Sequence, residues 1–240
     1  MDPSLTPVLS GRLGSHVGPL QMTDWEFIWS QRWYILGGLW ITIKLTVASI
    51  LLGFLAGFPG GAIEVYGGKI SSGLVSVVGV VLRGTPILVI FIFTYFVFPI
   101  GSAYMAAVVG LGLRSAAYQT QIFRGALQSV SGGQMEAARA IGLTKLKSIV
   151  HVVVPQALRR SIPGFQNEFT IVLKDTSIAF AIGLSELIAR SYDIFTTPGH
   201  TTAVTEIILL VAGMYFVLTF TTNRSLDYLN ELYAIPSGEE

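Results

Sequence analysis

The chain has 240 residues and no cysteine, which excludes disulfides, thiolate metal ligands and a cysteine nucleophile. Charge is scarce as well. Asp, Glu, Lys and Arg make up 12% of the residues, about half the share found in soluble domains. Neither sign dominates: 15 Lys and Arg stand against 14 Asp and Glu. No overall field is left to hold a polyanion, so nucleic acid is excluded as a partner. The three histidines, His16, His151 and His200, are scattered and do not have the spacing of a metal site. A phosphate-binding loop is missing too. The only Gly-Lys pair, Gly68-Lys69, is followed by Ile70, and Ile63 stands where that loop needs glycine. The first residues carry Asp2, Pro3 and Pro7 and stay polar through His16 and Asp24. No basic start leads into a short apolar core, and a cleaved signal peptide is not expected.

What the chain has in quantity is apolar surface. Hydrophobic residues reach 52% and the mean hydropathy is +0.64. They gather in stretches near the ~20 residues that cross a bilayer, so the expected fold is all-α, a polytopic membrane protein of five transmembrane helices. Residues 1–33 read as an external or interfacial arm ending in Trp25, Trp29, Trp33 and Tyr34, side chains that settle at headgroup depth. The transmembrane domain covers 34–224, with spans at about 36–58, 70–98, 102–123, 166–188 and 203–222, and a cytoplasmic tail covers 225–240. Gly53, Gly57 and Gly61 form a flat ridge suited to close helix packing, and Pro59-Gly60-Gly61 is expected to end the first span. Pro86 disfavours helical geometry at Thr85 and predicts a break there.

Residues 124–160 form a long loop of different chemistry. Arg124, Arg139, Lys145, Lys147, Arg159 and Arg160 face a single acid, Glu136. If this loop is cytoplasmic, Lys69, Arg83 and Arg224 share its side, while Arg12, Arg32 and Arg190 lie opposite. That bias obeys the positive-inside rule and puts the amino terminus outside and the carboxyl terminus inside. Ser131-Gly132-Gly133-Gln134 has the form of a capping box, Gly142 suits a helix end, Thr144 suits the next cap, and Pro155 suits the first turn of a further helix. The plain alternative is a solvated basic connector that only orients the chain.

Glu136-Ala137-Ala138, Gly142 and, nine residues later, Val152-Val153-Val154-Pro155 resemble the E-A-A-x-x-x-G-x9-[IV]-x-[LV]-P signature of permease subunits in ATP-binding-cassette importers. The phrases Arg83-Gly84-Thr85-Pro86, Ile122-Phe123-Arg124-Gly125-Ala126-Leu127 and Lys174-Asp175-Thr176-Ser177 look like the polar amino-acid branch of that family. The resemblance implies a coupling helix, carrying Glu136, Ala137, Ala138, Arg139, Gly142 and Pro155, that docks in a groove on a separate ATPase. It implies two such ATPases holding ATP and Mg, a second permease, identical or homologous, an extracytoplasmic substrate-binding protein, an amino-acid substrate, and the cytoplasmic membrane of a prokaryote. No cofactor and no enzymatic activity are expected on this chain. Small Ala137, Ala138 and Ala140 suit close docking, and Glu136 and Arg139 suit charge pairing.

Charges at membrane depth cost about 2.5–3.5 kcal/mol each on insertion scales and usually face a partner or a wet path. Lys44, Arg114, Lys174, Asp175 and Glu206 are the residues of this kind. Lys44 has a stem long enough to snorkel. Lys174 and Asp175 are adjacent and cannot face one neighbour, so they bind different spans or mark a broken turn. Arg114, a few residues before Tyr118, Gln119 and Gln121, has the fork that grips a substrate carboxylate; its structural alternative is an ion pair with Glu206 or Asp175. Thr85, Arg114, Gln119, Gln121, Lys174, Asp175, Ser177 and Glu206 form the candidate substrate path. Gln121 and Arg114 stand where related permeases often have Glu and a small or amide residue, which favours neutral or acidic amino acids over cationic ones. Gln166 and Glu168 are expected to cap or anchor the fourth span, and Glu186, Arg190 and Asp193 to lie in a solvated outer connection. Two other functions fit less well. A hydrolase built on Ser185 and His200 has no orienting group or oxyanion hole, and a channel or secondary transporter leaves the long loop unexplained.

Overall fold

A computed structural model describes residues 23–98, 100–198 and 201–233. All regular elements among them are helical. Helix α1 (Asp24–Ser30) leads into α2 (Arg32–Tyr66), followed by α3 (Lys69–Gly84), α4 (Ile87–Phe96) and α5 (Ala103–Ser129). The short α6 (Gly132–Ala140) and α7 (Lys145–Ser148) precede a π-helical turn at Ile149–Val153 that runs into α8 (Val154–Asp175). A 3-10 stretch, Thr176–Ile182, then leads to α9 (Leu187–Phe195) and α10 (Val204–Tyr233). The arm assigned to 1–33 therefore contains α1 and the start of α2, and the tail assigned to 225–240 begins as helix. Residues 1–22 and 234–240, with His16, lie outside the described residues, as does His200. The loop assigned to 124–160 is narrower, because α5 continues to Ser129 and α8 begins at Val154.

Pro59-Gly60-Gly61 does not end the first long helix: α2 passes through Pro59 and continues to Tyr66. Pro59 removes one backbone donor, whereas leaving the helix would bare many backbone groups where water is absent. The glycine ridge does its packing as the spacing predicts. A Cβ on Gly57 would lie 2.7 Å from Gln119 Cβ and 2.9 Å from the Ala116 carbonyl, and one on Gly61 2.7 Å from Phe123 Cβ. Gly60, close to Thr120 Oγ1, extends the same face. Only backbones without side chains allow α2 to lie this close along α5.

The break at Thr85 is present. Thr85 is extended, its hydroxyl donates to the Val81 carbonyl at 2.8 Å, and α3 and α4 meet at 104°. Three apolar clusters hold the bundle. One joins α2, α4, α5 and α8 through Leu45, Phe91, Leu111 and Val172. A second joins α1, α2, α9 and α10 through Phe27, Ile35, Leu187 and Ile207. A third, with Leu127, Val130, Val153 and Ala157, seats the α6–α7 region on the ends of α5 and α8. By length and apolarity α2 and α10 can each cross a membrane, and α3 with α4 can count as one bent span. Helices α5 and α8, which carry the third and fourth expected spans, are long enough to cross but more polar than α2 and α10.

Candidate functional site

Two regions carry the sequence's candidate residues. The first is the projection formed by α6 and α7. Helix α6 starts after Ser131 as the spacing predicts, but the capping box does not form: the Ser131 hydroxyl caps nothing. The Gln134 N–H bonds the Ser131 carbonyl at 3.0 Å instead, and the Gln134 side chain accepts from Gln156 of α8 at 3.4 Å. Gly142 closes the helix at φ +91°. Its N–H bonds the Arg139 carbonyl at 3.0 Å and the Leu143 N–H bonds the Ala138 carbonyl at 3.1 Å, the paired bonds of a Schellman end. Thr144 then caps α7 by accepting from Lys147 N–H at 3.4 Å, and Pro155 lies in the first turn of α8.

Glu136, Ala137, Arg139 and Ala140 are exposed, and Glu136 and Arg139 have no ion pair among the described residues. Ala138, expected to help docking, is buried; it lies beneath the helix because it sits one helical step from the exposed Ala137 face. Two apolar residues missed by the sequence reading stand out here. Ile141 is 81% and Leu146 70% exposed. Their signal was legible as large aliphatics inside an otherwise polar loop.

The second region is a polar track along α5, with partners on both sides. Toward α8, Arg114 forms an ion pair with Asp175, and Ser115 donates to Glu168 Oε1 at 2.7 Å. Toward α2, Gln119 Nε2 donates to the Ile50 carbonyl at 3.1 Å. Further along, Gln121 Nε2 reaches Glu64 Oε2 at 3.1 Å and Arg124 pairs with the same oxygen at 3.2 Å. Arg83 of α3 donates to the Ala117 carbonyl at 2.8 Å. These bonds explain why α5 can be both polar and internal: most of its polar side chains meet a partner instead of lipid, although Gln119 Oε1 and Arg114 Nε are buried without one among the described residues.

Arg114 therefore uses the structural alternative, with Asp175 as its partner. Its guanidinium also lies over the Tyr118 ring, 5.1 Å from the centroid, and its Nε is buried without a bond. The pair is still reachable, at 17% and 19% side-chain exposure. Lys174 and Asp175 are the last two residues of α8, and the 3-10 stretch begins just after them at Thr176. Lys174 is exposed, and the Ser177 hydroxyl donates to its carbonyl at 2.7 Å. Thr85 sits apart at the α3–α4 break, and Glu206, in the first turn of α10, keeps Oε2 buried without a partner among the described residues. Lys44 is exposed, with Nζ 5.9 Å from the Trp40 ring centroid.

Several expected roles are corrected. Gln166 and Glu168 anchor α8 to neighbouring helices and do not cap it, because α8 begins twelve residues before Gln166, at Val154. Gln166 donates to Asp227 at 2.9 Å and Glu168 is buried against Ser115. Glu186 is not solvated: it is fully buried and caps α9, accepting from Ile188 and Ala189 N–H at 2.9 and 2.8 Å. Arg190 donates to the Tyr34 carbonyl at 2.9 Å and Tyr34 donates to Asp193 at 2.6 Å. Glu64, absent from the sequence candidates, is an almost fully buried acid. It was hidden by ending the first span at Pro59.

A family model described as "Binding-protein-dependent transport system inner membrane component" matches residues 49–233. The chain belongs to this family. The match spans α2 beyond Ala48, the α6–α7 projection and the whole polar track, so the inner membrane component is the part described above. Among its relatives is the glutamine transport system permease protein GlnP of Escherichia coli strain K12, 35% identical over 216 residues that cover 86% of this chain and 95% of GlnP. The probable glutamine ABC transporter permease protein GlnP of Bacillus subtilis strain 168 is 32% identical over 209 residues, 85% and 93% of the two chains. A solved structure described as an amino acid ABC transporter with histidines superposes with TM-score 0.77 at 30% identity, covering 88% of this chain and 99% of that one.

Proposed function

We propose that this inner membrane component is the permease subunit of an ATP-driven importer for polar amino acids in the cytoplasmic membrane of a prokaryote. The observation that carries this reading is the α6–Gly142–α7 projection, with Glu136, Ala137, Arg139 and Ala140 exposed on a short helix seated at the foot of α5 and α8. Glu136, Ala137, Ala138, Arg139, Gly142 and Pro155 form its coupling motif, Ala138 from beneath. A separate ATPase subunit, holding ATP and Mg, grips the projection, and two such subunits drive two permeases between inward- and outward-facing states. The chain itself holds no cofactor.

In this reading five spans cross the bilayer: α2, the bent α3–α4 pair, α5, α8 with its 3-10 extension, and α10. The amino terminus is outside and the carboxyl terminus inside. A second permease, identical or homologous, completes the path, and a substrate-binding protein delivers the amino acid from outside. The glutamine relatives support the substrate class. Thr85, Arg114, Gln119, Gln121, Lys174, Asp175, Ser177 and Glu206 remain the candidates along the path. Arg114 takes the substrate carboxylate by exchanging Asp175 for it, and the low acidity that Gln121 and Arg114 give the span suits neutral and acidic amino acids better than cationic ones.

The test is copurification with the ATPase and uptake in the intact complex. Glu136→Arg reverses the charge on the exposed face and is expected to abolish association or to uncouple ATP hydrolysis from uptake. Unchanged association and unchanged uptake overturn the coupling assignment. Competition among labelled glutamine, glutamate and arginine reads the substrate, and a clear preference for arginine overturns the charge assignment.

A further inference from the structure

All four tryptophans of the chain, Trp25, Trp29, Trp33 and Trp40, lie within one short stretch, and each is more than half exposed. The first three repeat every fourth residue, so they share one face across the α1–α2 junction. Behind them is a cleft. A cavity of about 610 Å³ is lined by Ile28, Trp29, Trp33 and Leu210, with Arg32 the only charged residue in its wall among the described residues. A second cavity of about 510 Å³ shares Trp25, Leu210 and Met214 with the first and continues along α10 to Val217 and Leu218. From Leu210 to Leu218 the groove follows α10 for about 12 Å, at 1.5 Å per residue.

The cleft is polar at one end only. Arg32 Nη1 donates to the Trp29 carbonyl at 2.9 Å, and the guanidinium lies 5.1 and 5.7 Å from the Trp29 and Trp33 ring centroids. No carboxylate pairs with it among the described residues. The acids of α1 are held elsewhere: Glu26 accepts the Thr23 N–H at 2.9 Å, and Asp24 accepts the Thr202 hydroxyl at 3.1 Å. A guanidinium uses up to five N–H donors in a fork that matches a phosphate. Its stem and the tryptophan rings belong at headgroup depth, while the groove below them is wholly apolar.

We infer that this cleft is a binding site for a single phospholipid, with the phosphodiester on Arg32 and one acyl chain laid along α10 between α2 and Val217. The two-ended chemistry selects the occupant. A water-soluble anion satisfies Arg32 and leaves the groove empty, and an uncharged hydrocarbon fills the groove and leaves the guanidinium without an anion. A phospholipid satisfies both, and by bridging α1, α2 and α10 it pins the outer end of the bundle. The inference needs the chain to be embedded in a membrane and is independent of which substrate is carried.

The test uses the full-length protein, purified in mild detergent with extensive washing, and counts phospholipid per chain by native mass spectrometry. The expected result is about one retained phospholipid. Arg32→Gln is expected to lower retention several-fold and Arg32→Lys to keep most of it. Val217→Trp, which fills the groove with Arg32 intact, is expected to lower it as well. Lys44→Gln, a cation on Trp40 that does not line the groove, is expected to change nothing. Absence of retained phospholipid in the wild type, or retention in Arg32→Gln and Val217→Trp equal to that of the wild type, overturns the site. A photocrosslinker placed at Met214 gives an independent readout. Capture of phospholipid supports the site, and capture of residues 1–22 or of a second copy of the chain overturns it.

Discussion

A guanidinium and a carboxylate inside a lipid-bound bundle are each expensive, and α5 and α8 lower that cost by placing Arg114 against Asp175. Removing one partner leaves the other charge without compensation. Asp175→Asn is therefore expected to destabilise the detergent-solubilised protein by about 2 kcal/mol, since the pair is only partly buried. The double variant Arg114→Gln, Asp175→Asn is expected to recover most of that loss, as read by thermal unfolding; equal loss in both shows that the pair contributes nothing. The cost of Arg114 was legible in the sequence, and its partner was narrowed to two acids. Choosing Asp175 over Glu206 needed the packing of α8 against α5. Glycine makes the second case at this scale. Gly57→Leu forces a side chain into Gln119 Cβ and the Ala116 carbonyl and is expected to cost about 1–3 kcal/mol. Gly73→Leu, where an added Cβ meets nothing within 4 Å, is expected to be nearly neutral in the same melt.

The α6–α7 projection depends on one left-handed residue between two short helices. Because nothing lies within 4 Å of a Cβ on Gly142, Gly142→Ala tests backbone geometry alone, at an expected cost of about 1 kcal/mol. Its effect is expected to appear in coupling, as reduced uptake per ATP hydrolysed, with the melting temperature of the isolated permease shifted by only a few degrees. Wild-type coupling in Gly142→Ala would show that the turn's geometry is not required. The turn was readable from Gly142 and Thr144, because helix ends are local chemistry. The capping box at Ser131 was readable and absent, since Gln156 of α8 recruits the Gln134 amide that the local pattern assigned to the cap. The two prolines show the same divide. Pro86 breaks a helix where the chain turns by 104°, while Pro59 is carried inside α2 by its glycine-mediated contact with α5.

At the scale of the whole molecule, the proposed orientation rests on the distribution of basic residues, and the missing cysteines make it directly measurable. Ala137→Cys and Thr196→Cys introduce single reactive thiols at exposed positions. An impermeant maleimide is expected to label Ala137→Cys only in inside-out vesicles and Thr196→Cys only in intact spheroplasts. Labelling of Ala137→Cys from outside reverses the topology and removes the projection from any ATPase. Composition and periodicity determined by themselves that the chain is helical, apolar and membrane-bound, that it breaks at Thr85, and that a stretch within 124–160 differs in chemistry from the rest, because hydropathy and turn chemistry act over a few neighbouring residues. The tertiary structure decided where α2 ends, which acid meets Arg114, that Glu64 and Glu186 are buried, and that Ala138 faces inward. Each of these rests on a contact between segments far apart in the chain, where a neighbouring helix supplies a bond or a surface that local sequence does not contain.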